Sequence, residues 1–278
     1  MKNTLKKILP FVVILLTTHT AFAQNQIFNS LEIDSLTFVQ TRATINSLAT
    51  NKFEKQVYKQ DEKELPYRIL LPKDYDKQKK YPLVLTFHNS TRIGNDNEAQ
   101  LEPLGRIWLR EEIYNQYNCI VIAPQFNVRS SNYVTNESGV LVSKPFEDLN
   151  LVLELIKSVE QQYQNIDKNR VFLVGYSMGA STAQNILSLA PKLFAGMVTI
   201  AAVPDFSKIT AFKNKNIWLI HGQKDTENPY AGSVELYKKI KDNKRVIFTT
   251  YSALNHNNIN IPFLLGDDIP KWLFSLHK

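Results

Sequence analysis

The segment Val171-Phe172-Leu173-Val174-Gly175-Tyr176-Ser177-Met178-Gly179-Ala180 constrains this chain more than any other. Its leading run of valine, phenylalanine and leucine reads as a strand buried on both faces, as in a parallel sheet. From Ala180 onward, Ala183, Ile186, Leu187 and Ala190 recur at the spacing of one helix face. A strand that turns into a helix within Gly-x-Ser-x-Gly must force its central residue into a strained backbone conformation. Side chains at the two flanking positions would collide with strand and helix, which explains the glycines. The turn lifts the Ser177 hydroxyl above the sheet edge, with the free N–H groups of a helix N-terminus behind it. Ser177 is therefore a candidate nucleophile, held in a nucleophile elbow.

Around this segment, strands and helices alternate as a parallel sheet covered on both faces requires. Strands are expected over 81–87, 120–123, 197–201, 217–220 and 246–251, with 53–58 and 67–71 as an antiparallel hairpin at an edge. Leu149, Val152, Ile156, Val159 and Tyr163 mark an amphipathic helix, 231–242 is another, and Asp268 caps a last helix with Pro270 near its start. Ligands bind beyond the carboxyl ends of such strands, so the polar loop from His88 to Asn97 should border the site. It leads to a helix containing Leu101, Leu104 and Trp108. The stretch 126–145 is polar, lacks a helical period and carries Arg129 and Tyr133; connections this long are commonly functional covers or inserts. Arg129, Tyr133 and Tyr176, the neighbour of Ser177, are the candidate substrate contacts. Residues 24–52 show no clear periodicity and read as a loosely packed N-terminal extension, which leaves 53–278 as one α/β domain.

Residues 1–23 have Lys2, Lys6 and Lys7, then an apolar run from Ile8 to Leu16, then Ala21-Phe22-Ala23. These are the three regions of a secretory signal peptide, and the apolar run is too short for a permanent span. The expectation is export to the periplasm or the medium, with no stable membrane insertion after cleavage. Removing the leader lowers the net charge from +7 to +4, too modest and too scattered a charge for a nucleic-acid partner. The single Cys119 permits no internal disulfide and sits in an apolar run, where it acts as a small core hydrophobe.

A serine hydroxyl needs a base to take its proton and a third group to orient that base. Of five histidines, His19 leaves with the leader and His277 ends the last helix. His88 and His221 each end a strand, upstream of where a fold with this elbow sets its base, so His88 is read as a support for its loop. His256, in the loop after the last strand, remains as the base. The acid should follow the strand 217–220, which points to Asp225, with Asp205 and Glu227 as alternatives. The oxyanion donors expected are the backbone N–H of Met178 and one from Asn89 or Ser90.

At this point the chain resembles the α/β-hydrolases of the polyhydroxybutyrate-depolymerase and carboxylesterase type, grouped with prolyl-oligopeptidase-like predicted peptidases. The resemblance runs from about Phe53 to the C-terminus. It rests on Leu65-Pro66-Tyr67-Arg68 with Pro72-Lys73-Asp74-Tyr75, Gly94-Asn95-Asp96-Asn97-Glu98 with Gln100-Leu101, and Ala123-Pro124-Gln125. To these are added the elbow, His221-Gly222-Gln223-Lys224-Asp225 and His256. It implies an α/β-hydrolase fold with a mostly parallel central sheet. Two positions depart from the pattern: His88-Asn89-Ser90-Thr91 replaces His-Gly-x-Gly, and Ala180 replaces a glycine. Asn tolerates a left-handed backbone, so Asn89 is expected to keep that conformation in place of the glycine.

The function expected is ester hydrolysis through an acyl-enzyme, on a small or polymer-linked substrate, with no cofactor and no metal. A peptidase using the same machinery is the nearest alternative. A catalytically weak glycan- or polyester-binding protein, using Trp108, Arg129 and Tyr133, is the alternative from another class.

Overall fold

The computed structural model describes residues 25–146 and 149–276; the leader, His19 and His277 lie outside them. Among the described residues eleven strands are formed: β1 (Gln26–Asn29), β2 (Phe53–Gln60), β3 (Lys63–Leu70), β4 (Tyr81–Phe87), β5 (Ile120–Pro124), β6 (Ser131–Thr135), β7 (Leu141–Pro145), β8 (Ile166–Tyr176), β9 (Gly196–Ile200), β10 (Asn216–Gly222) and β11 (Val246–Tyr251). Nine of them make one sheet in the order β1-β11-β10-β9-β8-β4-β5-β3-β2. Every pairing from β1 to β5 is parallel, whereas β3 joins β5, and β2 joins β3, in antiparallel register. The helices are α1 (Ser35–Asn46), α2 (Pro103–Arg106), α3 (Glu111–Gln116), α4 (Leu149–Gln162), α5 (Met178–Leu189), α6 (Tyr230–Ile240) and α7 (Asp268–Phe274).

The central strands are apolar at successive positions because both their faces are covered. In β4, Leu83, Leu85 and Phe87 join the core beneath α4, α5 and α6 through Ile156, Ala183, Ile186 and Leu236. Val84, one step out of phase, joins Leu104, Trp108, Ile113 and Leu273 in the core on the opposite face. Cys119 is buried in that second core as a free thiol. Each fully buried Leu, Ile or Phe contributes about 1.5–3 kcal/mol through this burial.

Residues 25–52, the described part of the expected loose extension, are packed against the domain. β1 adds a parallel edge strand to β11, and α1 buries Thr41 and Ile45. The Arg106 guanidinium donates to the carbonyls of Asn46 and Leu48, clamping the end of α1 to α2. The helix expected around Leu101, Leu104 and Trp108 is broken into α2 and a 3₁₀ turn over Ile107–Leu109, and its N-terminal Pro103 marks the start. Trp108 is fully buried and is no surface platform for a glycan. In α7, Asp267 and not Asp268 occupies the N-cap position.

The stretch 126–145 forms the two-stranded β6–β7 hairpin, turned at Gly139 with φ +75°. It is bolted to α5 by side chains. Ser130 Oγ meets Thr182 Oγ1 at 2.7 Å, Ser131 Oγ donates to Asn185 Oδ1 at 2.7 Å, and Asn185 Nδ2 donates to Ser143 Oγ at 3.2 Å. Ser181, Thr182 and Asn185 of α5 are thus buried with hydrogen-bond partners, and the hairpin stands as a fixed wall next to the elbow.

Candidate active site

Ser177 has φ 57° and ψ −123°, outside the regions that side-chain-bearing residues ordinarily occupy, a conformation that costs about 1–3 kcal/mol and persists only where its surroundings impose it. Those surroundings are specific. The Ser177 N–H donates to Ile200 O at the end of β9, while its carbonyl accepts from Ala180 and Ser181. A Cβ at Gly175 would lie 2.2 Å from Gly179 O, and one at Gly179 would lie 2.1 Å from Phe87 O, so only glycine fits at either flank. β8, β4 and α5 touch at this corner, and Ser177 leaves it pointing beyond the sheet.

Ser177 Oγ lies 2.9 Å from His256 Nε2, and His256 Nδ1 lies 2.8 Å from Asp225 Oδ2. The Nδ1–H donates to the carboxylate, which leaves Nε2 free to accept the serine proton. The loop after β11 reaches this position by crossing Gly222, where a Cβ would stand 2.3 Å from Leu254 O. Tyr176 fixes the loop from below: its hydroxyl donates to His256 O at 2.7 Å, and its ring lies tilted by 33° against the imidazole with centroids 5.3 Å apart. Tyr176 is buried with its hydroxyl already engaged, so it supports His256 and does not line the substrate cleft.

Asp225 is held on every side. Its Oδ1 accepts the N–H groups of Glu227 and Asn228, and its Oδ2 also lies 3.2 Å from His221 Nε2. Burial works to raise this carboxyl, but hydrogen bonds from His221 and His256 outweigh it and keep the group well below the usual carboxylate range. His221 was not singled out from sequence. Its Nδ1 accepts from Ser233 Oγ at 2.7 Å, which sets the tautomer that presents Nε2–H to Asn228 O and Asp225. The alternative acids stand elsewhere. Asp205 is buried against Asn185 and the Ser207 N–H, and half-exposed Glu227 approaches His256 Nε2 only to 3.9 Å.

The loop after β4 differs from expectation at Asn89. Its backbone is extended, φ −76° and ψ 173°, because the side chain caps the 3₁₀ turn Ser90–Arg92 by accepting from Thr91 N at 2.8 Å. A capping residue takes this conformation, so no left-handed position exists for a glycine to fill. The Asn89 amide also donates to Glu102 Oε2. Glu102 is buried, its Oε1 has no partner, and burial pushes its carboxyl up to about 8 against the pull of Arg92, the Asn89 backbone and Arg42. His88 supports the same loop: Nδ1 donates to Asn89 O at 2.8 Å, and Nε2 accepts Phe126 N–H at 3.0 Å. Burial, aided by Arg92, lowers the His88 imidazole to about 4, so it is neutral at ordinary pH. Gln125 secures the next loop by accepting Asn97 N–H and donating to Asp96.

Ser177 and His256 open into a cleft of about 550 Å³ whose other lining residues are Ser90, Arg129, Asn132, Tyr133, Glu227 and Asn228. Arg129 and Tyr133 are therefore brought to the site, and Ser90 borders it where Asn89 does not. Met178 is the first residue of α5, so its N–H has no acceptor one turn earlier. Arg129 also borders a second hollow of about 250 Å³, lined by Phe126, Phe146, Leu149 and Leu151 among others. Among the described residues, no cluster of three or more His, Cys, Asp or Glu side chains could hold a metal, and no helix is long and apolar enough to cross a membrane.

Residues 142–262 match the sequence profile of the phospholipase/carboxylesterase family. Comparison with curated proteins gives no match. Among solved structures, a thermostable esterase superposes with a TM-score of 0.72 at 28% identity, covering 82% of this chain and 64% of its own. A dipeptidyl aminopeptidase IV described as putative, from Bacteroides ovatus, superposes at 0.59 with 15% identity, over 81% of this chain and 36% of its own. Est1E from Butyrivibrio proteoclasticus superposes at 0.58 with 12% identity, over 80% of this chain and 98% of its own. This chain thus spans less than two thirds of the thermostable esterase and about a third of the aminopeptidase. The sheet order, the strand-to-helix elbow and these likenesses agree: the chain has the α/β-hydrolase fold, and its residues 142–262 are similar to the phospholipase/carboxylesterase family.

Proposed function

We propose that this protein is a serine hydrolase that cleaves carboxylic esters, small or polymer-linked, through an acyl-enzyme. The observation that carries the reading is the unbroken hydrogen-bonded line from Ser177 Oγ through His256 to Asp225, at 2.9 and 2.8 Å. Ser177 Oγ attacks the ester carbonyl carbon while His256 Nε2 takes its proton, and Asp225 stabilises the imidazolium. The tetrahedral oxyanion is held by the N–H groups of Met178 and Ser90, since Ser90 is the residue of its loop that borders the cleft. Collapse breaks the C–O bond, and His256 gives the proton to the departing alkoxide. Water then attacks the acyl-enzyme with His256 as base, releasing the acid and restoring the Ser177 hydroxyl. The place of action proposed is the periplasm or the medium, from the leader pattern in residues 1–23.

A fluorophosphonate probe tests the nucleophile. Wild type should be labelled at Ser177 and Ser177→Ala should not; an unlabelled wild type would make the protein a binding scaffold. The same preparation given phenyl acetate and a set of peptide anilides should turn over the ester with the higher kcat/KM. The reverse order would make it a peptidase.

A further inference from the structure

Arg129 stands at the lip of the cleft. Among the described residues it forms no ion pair. Glu64, which borders the hollow behind it, is paired with Lys59, and Glu227, which also lines the cleft, accepts from the Asn257 amide and forms no ion pair with Arg129. The guanidinium is nevertheless fixed. It lies over the Tyr133 ring with Cζ 4.7 Å from the centroid, and its Nε donates to Ser131 O at 3.4 Å. Tyr133 is itself anchored, its hydroxyl 3.1 Å from Ser181 Oγ, one helical turn beyond the nucleophile. Ser130 and Ser131 are buried and bonded to α5. The chain of contacts from α5 through Tyr133 to Arg129 therefore holds the cation at a set position relative to Ser177, with its ordering cost already met in the folded protein.

A planar guanidinium that is stacked, preorganised and, among the described residues, not in an ion pair is a receptor for a carboxylate, which it can bind through two parallel hydrogen bonds. The remaining cleft residues are polar, and none offers a long apolar wall for an extended alkyl chain. We infer that Arg129 selects esters that bear a carboxylate on the acyl or the alcohol part, in preference to neutral or fatty-acyl esters. This rests on the serine hydrolase reading above, and Arg129 acts as a specificity residue of that same site.

Two matched pairs test it: monomethyl succinate against methyl butyrate, with the charge on the acyl side, and 3-carboxyphenyl acetate against phenyl acetate, with the charge on the alcohol side. Wild type should favour the charged member of at least one pair by about tenfold or more in kcat/KM, chiefly through KM. The pair that responds tells which side of the ester faces Arg129. In Arg129→Gln the charged-to-neutral ratio should fall to about one; in Arg129→Lys it should be partly kept, and in Arg129→Glu inverted. Wild-type ratios near one in both pairs, or a ratio unchanged in Arg129→Gln, would overturn the inference. Calorimetry on Ser177→Ala separates the two readings: it should bind the charged ester more tightly than its neutral twin even if no turnover is seen in wild type. Equal binding there would remove the role of Arg129, whereas tighter binding with no labelling of Ser177 would remove only the hydrolase.

Discussion

The loop that carries His256 hangs on a charge, whereas the loop that carries Ser90 hangs on groups kept neutral. On the first side, Asp225 sits between two imidazoles and two backbone N–H groups, and that set of donors keeps it ionised despite burial. On the second, His88 is lowered to about 4 and Glu102 raised to about 8, both foremost by burial, so at neutral pH neither is predominantly charged. The difference follows from donor count. Glu102 receives the Asn89 amide on one oxygen and nothing on the other, too little to offset desolvation of a carboxylate. The imidazole that becomes a cation in the proposed mechanism is thus set beside a permanent anion, and the loop proposed to supply an oxyanion donor rests on a support that adds no negative charge until the pH climbs toward 8.

The sharpest way to break this comparison is to remove the charged side. Ser177→Ala or His256→Ala should lower turnover of phenyl acetate by about 10⁴–10⁶, and the double variant should be little worse than either, because the two act as a unit. Asp225→Asn should cost about 10⁴ by favouring the wrong His256 tautomer. Asp205→Asn should instead act on stability through Asn185 and the Ser207 N–H. Multiplicative losses in the Ser177 and His256 cycle, read from steady-state kcat, would mean that they do not share one proton-transfer step.

The neutral side is probed at Asn89, with a smaller effect. With φ at −76°, glycine there relieves nothing, and it deletes both the cap on Thr91 and the bond to Glu102. Asn89→Gly and Asn89→Val should both lower kcat by about 10–10², less than the outright loss of an oxyanion donor, with glycine no better than valine. An Asn89→Gly variant as active as wild type would show that the loop positions its donor without the side chain.

These two sides also differ in how far the sequence discloses them. The elbow is legible because two glycines and a serine at fixed offsets have one steric solution, and the strands are legible because β4, β9 and the part of β8 from Val171 onward are buried and almost wholly apolar, whereas the charged start of β8, Asp167 to Arg170, carries no such pattern. Asn89 is not, since the same side chain serves a left-handed position or a capped turn, and the choice depends on Glu102, thirteen residues later. Helix α1 escapes notice because Leu36 and Val39 are exposed while Thr41 faces inward, so no apolar stripe forms. His221 did leave a signal: it stands four residues before Asp225, at the end of a buried strand, where a second imidazole on the same carboxylate is within reach.

The finest test reads Glu102 through stability. Its folded pKa, about 8, lies above the unfolded value near 4.5, so the folded state holds a proton that the unfolded chain has lost. Its favourable contribution is complete below about 4.5, declines as the pH rises, and is gone above about 8; beyond that the penalty is constant. Arg92 and Arg42, which face the carboxyl from its own loop and from α1, favour the ionised form, but burial outweighs them. Glu102→Gln keeps an acceptor for the Asn89 amide and cannot ionise. Thermal or urea unfolding at pH 5 and pH 8 should therefore show wild type losing on the order of a few kcal/mol relative to the variant over that interval. Turnover should change only a few-fold. If the two proteins lose stability in parallel from pH 5 to pH 8, Glu102 is already ionised at pH 5, and the loop beside Ser177 rests on a buried charge just as its counterpart does.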